Sequence, residues 1–585
     1  MKKLLTLAIC ALSIGFLQAD PLDVSGFAKS ITITVSSTSV AQGVSLADFP
    51  VLVRLSTAID GFSYSDFQQQ NGGDIAFLDS RGNVLAHEID TWNTDGESLV
   101  WVKVPVFSRS TRIYIVYGNS SYSSSVAATD VWSGYAGVWH LGEATGSLAD
   151  STGHSLSASR VGGNPSLITQ VSGPVGNAIY QEDEEGNSTC LEVPSYDSLA
   201  VGGSFAVSGW FNADSVTYAR LFSRGTSDVA GFEAECGSDG SIYVRGSTAE
   251  SHFVYTDATS LVGNWTHVTV VYDDTAVSIY VNGILARSGT TDAVVDNGNP
   301  FYIGCSGVAG NKWSLKGKID EFRLLDAVPS ADWIAADYAT VTEPGFLSFS
   351  AAEVCSLRFV NPSEFTKFVQ ITASASAVPG GGVIENFPAL VRLSEGISGF
   401  HYSDFMANGA DLVFADEDGV VLASEIDTWN TSGESIVWVK VPVFENGMTI
   451  YAYWGAEAVS SVSSTDTWSG FTGVWHMNES GSTVEPDVSG NGLDATPNGT
   501  TSEMESVSSG AVGKARINQS TQGREVANCL YVPSYPAIGD TFTASGWFNA
   551  SYKEGWHRLI SRKTAYGTNG WEVEMRDGSD EIVSR

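Results

Sequence analysis

Short runs in which apolar and polar positions alternate dominate the chain. Ile31-Thr-Ile-Thr-Val35, Val51-Leu-Val-Arg-Leu55, Asp74-Ile-Ala-Phe-Leu78, Leu99 to Val106 and Arg112-Ile-Tyr-Ile-Val-Tyr117 follow one another with turn residues between them. A period of two sends successive side chains to opposite faces, so each run predicts a half-buried strand, and the set predicts an antiparallel β-sandwich over 28–125. The serine-rich stretch 119–128 reads as a linker. Beyond it the same texture returns in Ser204 to Phe211, Ile242 to Arg245, Thr266 to Tyr272, Val277 to Val281 and Phe301 to Ile303. Asn282-Gly283 between two such runs predicts a type I′ hairpin, because both residues tolerate positive φ. One segment departs from the pattern. Trp333, Ile334, Asp337 and Tyr338 recur at helical spacing behind Ser330, which predicts a helix over 330–340 capped by that serine.

The pattern is written twice. FPVLVRLS (Phe49 to Ser56) returns as FPALVRLS (Phe387 to Ser394), and DTWNTDGESLVWVKVPVF (Asp90 to Phe107) as DTWNTSGESIVWVKVPVF (Asp427 to Phe444). WSGYAGVWHLGE at Trp132 returns as WSGFTGVWHMNE at Trp468, CLEVPSY at Cys190 as CLYVPSY at Cys529, and SGWFNA at Ser208 again at Ser545. A unit this long is a tandem array of large modules rather than a solenoid, whose repeats run about 20–50 residues. The second copy reaches Arg585 near the position of Ser247 in the first, so counterparts of Trp265-Thr-His-Val268 and of Gly317 to Phe322 are expected outside the sequence given. The expected order is a leader at 1–19, sandwiches at 28–125 and 364–460, a larger sandwich at 129–350, and an incomplete second copy of it at 465–585.

Bulk chemistry narrows the function. With 585 residues, 43% apolar and only 16% charged, the chain suits several strand-rich domains with real cores. A formal charge of −36 excludes a nucleic-acid binder, which needs clustered Lys and Arg, and leaves carboxylates for hard cations. Lys2 and Lys3, the apolar run Leu4 to Leu17 and the small Ala19 read as a signal peptide, so export to the surface, the medium or the periplasm is expected. Beyond the leader no stretch approaches the roughly 18 apolar residues of a membrane helix. Export permits disulfides; Cys190, Cys236, Cys305, Cys355 and Cys529 remain, with a Cys236–Cys305 bridge or buried free thiols as alternatives.

His87-Glu-Ile-Asp-Thr-Trp-Asn93, repeated from Ser424 to Asn430, resembles the start of the E-x-D-x-E strand of some jelly-roll glycoside hydrolases. A retaining glycosidase needs two carboxyls about 5–5.5 Å apart. The position for the further acid holds Trp92 or Asn93, and Trp429 or Asn430 in the repeat. Glu88, Asp90 and Trp92 are expected on one face of a structural strand end, with no catalytic role. His140 and Glu143, repeated as His476 and Glu479, lie on a predicted strand, which sends them to opposite faces; His140 is expected to pack at the strand's end rather than bind metal. The run Gln181 to Gly186 reads as a solvated acidic loop.

GVWHLGE, LADSTGHS (Leu148 to Ser155), SFAVSGWFNA, NWTHVTVVYDD (Asn264 to Asp274), IYVNGILA and GKIDEFRL together resemble the laminin-G-like, concanavalin A-like jelly rolls of bacterial secreted proteins. FPVLVRL, DIAFLDSRGNVLAHEIDTWN, VWVKVPVF and IYIVYGN resemble the domain of unknown function 2341, often found directly before such jelly rolls. The resemblance covers nearly the whole mature chain and implies an all-β architecture of tandem antiparallel sandwiches; it says less about activity. In similar jelly rolls a calcium lies on the rim. Asp150, its repeat Asp487, and Asp320 from the far end of the first jelly roll are therefore candidate Ca²⁺ ligands, against the alternative that Asp150 closes an Asx-turn on its own backbone. Trp210, Tyr218, Phe232, Trp265 and Trp313 are candidates for a sugar-facing surface. The expected role is non-catalytic recognition of glycan or extracellular matrix, or adhesion. The alternatives are the accessory region of a polysaccharide-degrading enzyme and the exterior region of an envelope complex, each with domains past Arg585.

Overall fold

The computed structural model describes residues 21–584 except 183–188, 195–202, 217, 225–230, 247–252, 260, 295–297, 307–312, 374–381, 457–463, 500–503, 508–509, 519–527, 534, 536–540, 551–556, 563–569 and 577–580. The expected leader and most of the acidic run lie outside the described residues. Two compact units separate: one runs to Glu364 and includes Ala415–Val421, the other comprises Phe365–Phe414 and Leu422–Arg585.

The first unit opens with β1 (Lys29–Val35), β2 (Leu46–Leu55), β3 (Ala76–Leu78), β4 (His87–Thr91), β5 (Ser98–Phe107) and β6 (Arg112–Tyr117). They form two antiparallel layers, β1–β6–β3 and β2–β5–β4. The alternating positions converge in one core of Ile31, Ile33, Val51, Val53, Phe77, Val100, Val102, Ile113 and Ile115. Each such side chain contributes about 1.5–3 kcal/mol on burial. The stretch expected as a linker is seated: Tyr122 is buried against Phe27, ring centroids 5.1 Å apart.

The jelly roll follows as β7 (Tyr135–Trp139), β8 (Ser159–Gly162), β9 (Ile168–Ser172), β10 (Asn177–Gln181), β11 (Thr189–Val193), β12 (Ser204–Ser215), β13 (Ala219–Ser223), β14 (Phe232–Cys236), β15 (Ile242–Gly246), β16 (Val254–Tyr255), β17 (Thr266–Asp273), β18 (Ala276–Val281), β19 (Ile284–Thr290), β20 (Phe301–Ile303) and β21 (Lys316–Leu325). One sheet runs β19–β18–β17–β12–β21–β10–β9, with β7 on β21; the other runs β16–β15–β14–β13–β20–β11–β8. Asn282 and Gly283 both take positive φ, as a type I′ turn between β18 and β19 requires. The disulfide joins Cys190 and Cys305, Cα atoms 5.6 Å apart, rather than Cys236 and Cys305. The sheet order explains the difference: β11 is the neighbour of β20, whereas β13 separates β14 and its buried Cys236 from β20.

The predicted helix is α1 (Ala331–Thr342), and the Ser330 hydroxyl accepts the Trp333 amide as its cap. It lies between the two domains. Ile334 packs on Ala206 and Val271 of the jelly-roll sheet, while Ala336 and Ala339 join the sandwich core and the Leu52 amide donates to Thr340 Oγ1 at 3.1 Å. The chain then returns: β22 (Leu347–Phe349) and β23 (Glu353–Val354) both pair with β1. The jelly roll is thus embedded within the sandwich's connectivity, and the boundary expected at 350 falls inside a segment that completes the first domain. Leu52, Leu99 and Trp101 of the sandwich meet Trp132, Tyr135, Val138 and Val175 of the jelly roll in a shared apolar cluster.

The second unit repeats the small sandwich. Lys367–Thr372 pairs with Thr449–Trp454, and Ser435–Phe444 lies between Ile384–Leu393 and Ser424–Thr428 and pairs with both. Val369, Ile371, Val391, Val437, Val439 and Ile450 fill its core. Past 465 the described strands are short pairs, among them Thr496–Asn498 with Cys529–Tyr531. The repeat of β12, 541–550, forms no strand and is exposed, with Trp547 at 84%. In the first copy β12 is held by β17 and β21 on its two sides, and 541–550 has no such neighbour among the described residues.

Candidate functional site

Two bulges face each other across the joint of the first unit. In β4, Ile89 and Trp92 both point into the sandwich core, three residues apart instead of two, because the register slips at Asp90. Trp92 therefore leaves the face it was expected to share with Glu88 and Asp90, and packs on Phe67 and Tyr64 at 4.9 and 5.3 Å. In β21, Ile319, Phe322 and Leu324 are core residues. The slip opposite Gly209 places Glu321 at φ +48°, a left-handed conformation that is costly for a residue with a side chain. Asp320 and Glu321, which a regular strand would send to opposite faces, both escape the apolar core, and both are buried.

His140, just beyond β7, stands between these strands. Its Nδ1 lies 2.6 Å from Glu321 Oε1 and 3.7 Å from Asp90 Oδ2, and its Nε2 lies 3.2 Å from Glu88 Oε2. Glu88 is itself fixed, accepting the Ser151 hydroxyl at 2.8 Å and the Trp132 indole N–H. The Arg323 guanidinium donates to Glu321 Oε2 at 2.7 and 3.2 Å and to Asp337 Oδ1 of α1 at 3.1 Å. Its plane sits 4.2 Å from the Trp101 ring and 4.8 Å from that of Trp132. Asp320 Oδ2 accepts the Val175 amide at 3.0 Å, whereas its Oδ1 is buried with no hydrogen-bond partner.

The electrostatics follow from burial and these neighbours. Burial opposes a charge on His140, yet Glu321 and Glu88 overcome it and hold the imidazole well above its ordinary value. Burial also opposes ionisation of Glu321 and Glu88, but His140 with Arg323, and His140 with Trp132 and Ser151, bring both below the usual carboxylate range. For Asp320, Asp90 and Asp337 burial wins, and their carboxyls are pushed up. His267, 3.7 Å from Asp337, is pushed down to about 3 by burial and by Arg323. Asp90, His140 and Glu321 each offer a ligand atom, and these lie within 4.8 Å of one another. The acids close on a histidine inside a domain joint; they do not flank an open groove.

The second copy builds the same corner. His476 Nε2 lies 3.1 Å from Glu425 Oε2 and its Nδ1 3.4 Å from Asp427 Oδ2, and the Trp468 indole donates to Glu425. The slip between Ile426 and Thr428 recurs. Glu143, expected on the opposite face from His140, is no companion to it and accepts the Ala149 amide at 2.7 Å. Sequence reasoning missed Glu321 as that companion, although the three-residue step from Ile319 to Phe322 announces the bulge that aims it.

Asp150 and Asp320 do not form one ligand set. Asp150 accepts the amides of Val138, Thr152 and Leu156 at 3.1–3.2 Å and the Thr152 hydroxyl at 2.8 Å, which occupies both its oxygens. Asp487 accepts those of Val474, Ser489 and Leu493 at 3.0 Å. This is Asx-turn geometry, and the oxygens a calcium ion would need are committed to donors. Millimolar Ca²⁺ is expected to leave the melting temperature unchanged, while Asp150→Ala is expected to cost about 2 kcal/mol by stranding those amides. A calcium-dependent rise in melting temperature that Asp150→Ala abolishes would restore the metal reading.

Among the aromatics expected on a ligand face, Trp210 and Phe232 are buried. Trp210 lies against His267 and Tyr338 at 4.9 and 5.5 Å beneath α1, and Phe232 is in the jelly-roll core. Tyr218 is 51% exposed, Trp265 is half-buried, and Trp313 covers the Arg220 guanidinium at 4.9 Å. The structure adds a row. Arg220, Glu235, Tyr243 and Tyr255 are direct cross-strand neighbours over β13, β14, β15 and β16. The two tyrosine rings stack at 5.3 Å, and Tyr255 is 50% exposed. Arg220 and Arg245 pair with Glu233 at 3.1 and 2.7 Å, and Arg220 also pairs with Glu235.

The model of the concanavalin A-like lectin/glucanases superfamily matches residues 185–335, and that of the domain of unknown function 2341 matches 71–141 and 408–474. The chain carries both domains. The first match to the second model contains Glu88, Asp90, Trp132 and His140, and the second contains Glu425, Asp427 and Trp468. No curated protein sequence matches the chain. Solved structures that resemble it include domain 4 of the extracellular arabinanase AbnA from Geobacillus stearothermophilus in complex with arabinotriose: 21% identity, 35% of this chain, 98% of that one, TM-score 0.28. The binding domain of botulinum neurotoxin DC in complex with SialylT matches at 12% identity, 53% and 95% coverage and TM-score 0.29. The sialidase CBM40 of Ruminococcus gnavus bound to α2,3-sialyllactose matches at 14% identity, 28% and 96% coverage and TM-score 0.25. Among the described residues no helix is long and apolar enough to cross a membrane.

Proposed function

We propose that the chain is an exported, non-catalytic glycan-binding protein, and that its concanavalin A-like domain binds sugar on the outer face of the seven-stranded sheet. The row Arg220–Glu235–Tyr243–Tyr255 carries this reading. Sugar rings present apolar C–H faces and a rim of hydroxyls. Tyr255, half exposed and stacked on Tyr243, supplies an apolar plane for the first. The tyrosine hydroxyls, with the exposed Asp239 that accepts that of Tyr243 at 3.3 Å, supply donors and acceptors for the second, while the buried ion pairs of Arg220 hold the row in place. The superfamily match supports the same reading. The small sandwich is the mount: it meets the jelly roll on the other sheet, where α1 lies, and leaves this face free of it.

Binding of the full chain to a glycan array, followed by calorimetry on the best glycan, tests the reading. Tyr255→Ala is expected to weaken that binding about tenfold, the effect of losing one apolar anchor worth about 1.4 kcal/mol, with no change in melting temperature. Absence of binding to every glycan, or full affinity in the Tyr243→Ala, Tyr255→Ala double variant, would overturn it.

A further inference from the structure

We propose that the joint between the two domains of the first unit is a site for a divalent transition-metal ion of the zinc class, ligated by His140 Nδ1, Asp90 Oδ2 and Glu321 Oε1. These atoms come from three segments far apart in the chain and converge within 4.8 Å of one another. Ligand atoms around an ion with bonds of about 2.0–2.2 Å must sit a few ångströms apart, so small side-chain shifts bring them to the ion.

Three further observations point to a cation. The first is the state of His140. Both ring nitrogens face carboxylates and so both carry protons when no ion is bound; an ion at Nδ1 takes the place of the proton there, which leaves to solvent. Glu88 holds Nε2 and is itself fixed by Trp132 and Ser151. This is the arrangement by which a carboxylate sets the tautomer of a metal-bound histidine and leaves the other nitrogen for the ion. The second is charge. Glu88, Asp90, Asp320, Glu321 and Asp337 gather around one guanidinium, Arg323, and two imidazoles, His140 and His267. An excess of acids in a buried joint is relieved by protonation or by a further positive charge, and an ion would supply the second. The third is Asp320. It is fully buried beside Glu321, and its Oδ1 has no hydrogen-bond partner.

The donor set selects the ion. One imidazole with carboxylates suits zinc or manganese, whereas calcium takes oxygen ligands alone. His140 and Asp90 keep 14% and 10% of their side-chain surface, which leaves a route for the ion. In the second copy, His476 and Asp427 present two of the same ligand atoms, and among the described residues no third joins them. The site would tie the end of β7 and the bulge of β21 to β4 of the sandwich, a metal clip across a domain joint.

The test uses the full chain, stripped with chelator, supplied with Zn²⁺, desalted and assayed for metal content. One Zn²⁺ per chain is expected, lost in Asp90→Asn and in His140→Gln and retained in His476→Gln. Glu88→Gln should retain the site with affinity about 10–100-fold weaker. Co²⁺ bound in place of Zn²⁺ should give visible d–d absorption that Asp90→Asn removes. Circular dichroism of each variant separates loss of the site from loss of the fold. No retained metal in the wild-type chain, or undiminished metal in a folded Asp90→Asn, would overturn the proposal and leave His140 as an imidazolium held by acids.

Discussion

Arg323→Met is expected to destabilise the first unit by about 3–5 kcal/mol, measured as a shift in its urea midpoint without a change in slope. The substitution keeps the volume of the side chain and removes its charge. Arg323 is 4% exposed and is the shared partner of Glu321 and Asp337, one on the jelly roll and one on α1. Without it Asp337 loses its ion pair, Glu321 is left with His140 alone, and the guanidinium's contact with the Trp101 and Trp132 rings disappears as well. A surface ion pair would cost at most about 1 kcal/mol. A loss of that size would show that the joint is wetter than the structure makes it.

Trp132→Ala should be almost as damaging, by about 3–5 kcal/mol, the range for removing a large buried aromatic ring. Trp132 is fully buried, packs edge-on against Trp101 and Tyr135 at 5.7 and 5.3 Å, and donates its indole N–H to Glu88. Its removal opens a cavity in the shared apolar cluster and frees the acid that positions His140. Thermal unfolding of the full chain checks this, and Trp132→Phe divides the effect. The phenyl ring should recover most of the packing and none of the hydrogen bond.

The strands were legible in the chain because each is a local pattern. The Arg112 to Tyr117 alternation is β6 end to end, and Ser330 with Trp333 marks the start of α1. Asn282-Gly283 reports its own turn because positive φ is a property of those two residues. What the alternation does not carry is pairing at long range. Nothing near Leu347 says that it will lie beside Val35, so the return of the chain to the first domain is invisible until the sheet is assembled. The partner of Cys305 was hidden for the same reason, since strand order decides it. The joint was half legible. Glu88-Ile-Asp90 and His140 stood out because each occurs twice, yet a regular-strand reading put Trp92 beside the acids and gave His140 no partner. Both errors have one physical source, an extra residue in the strand. Ile89 to Trp92 and Ile319 to Phe322 are steps of three between core positions, and a step of three in a strand is the trace of a bulge.

His140 grips Glu88 and Asp90 of the neighbouring domain, and a double-mutant cycle measures that grip. Glu88→Gln, His140→Gln and the pair together, unfolded in urea as full chains, should give a coupling energy of about 1–3 kcal/mol, with the double variant less destabilised than the sum of the two. Effects that add to within about 0.3 kcal/mol would mean that the two side chains do not interact, and the joint described here would be wrong.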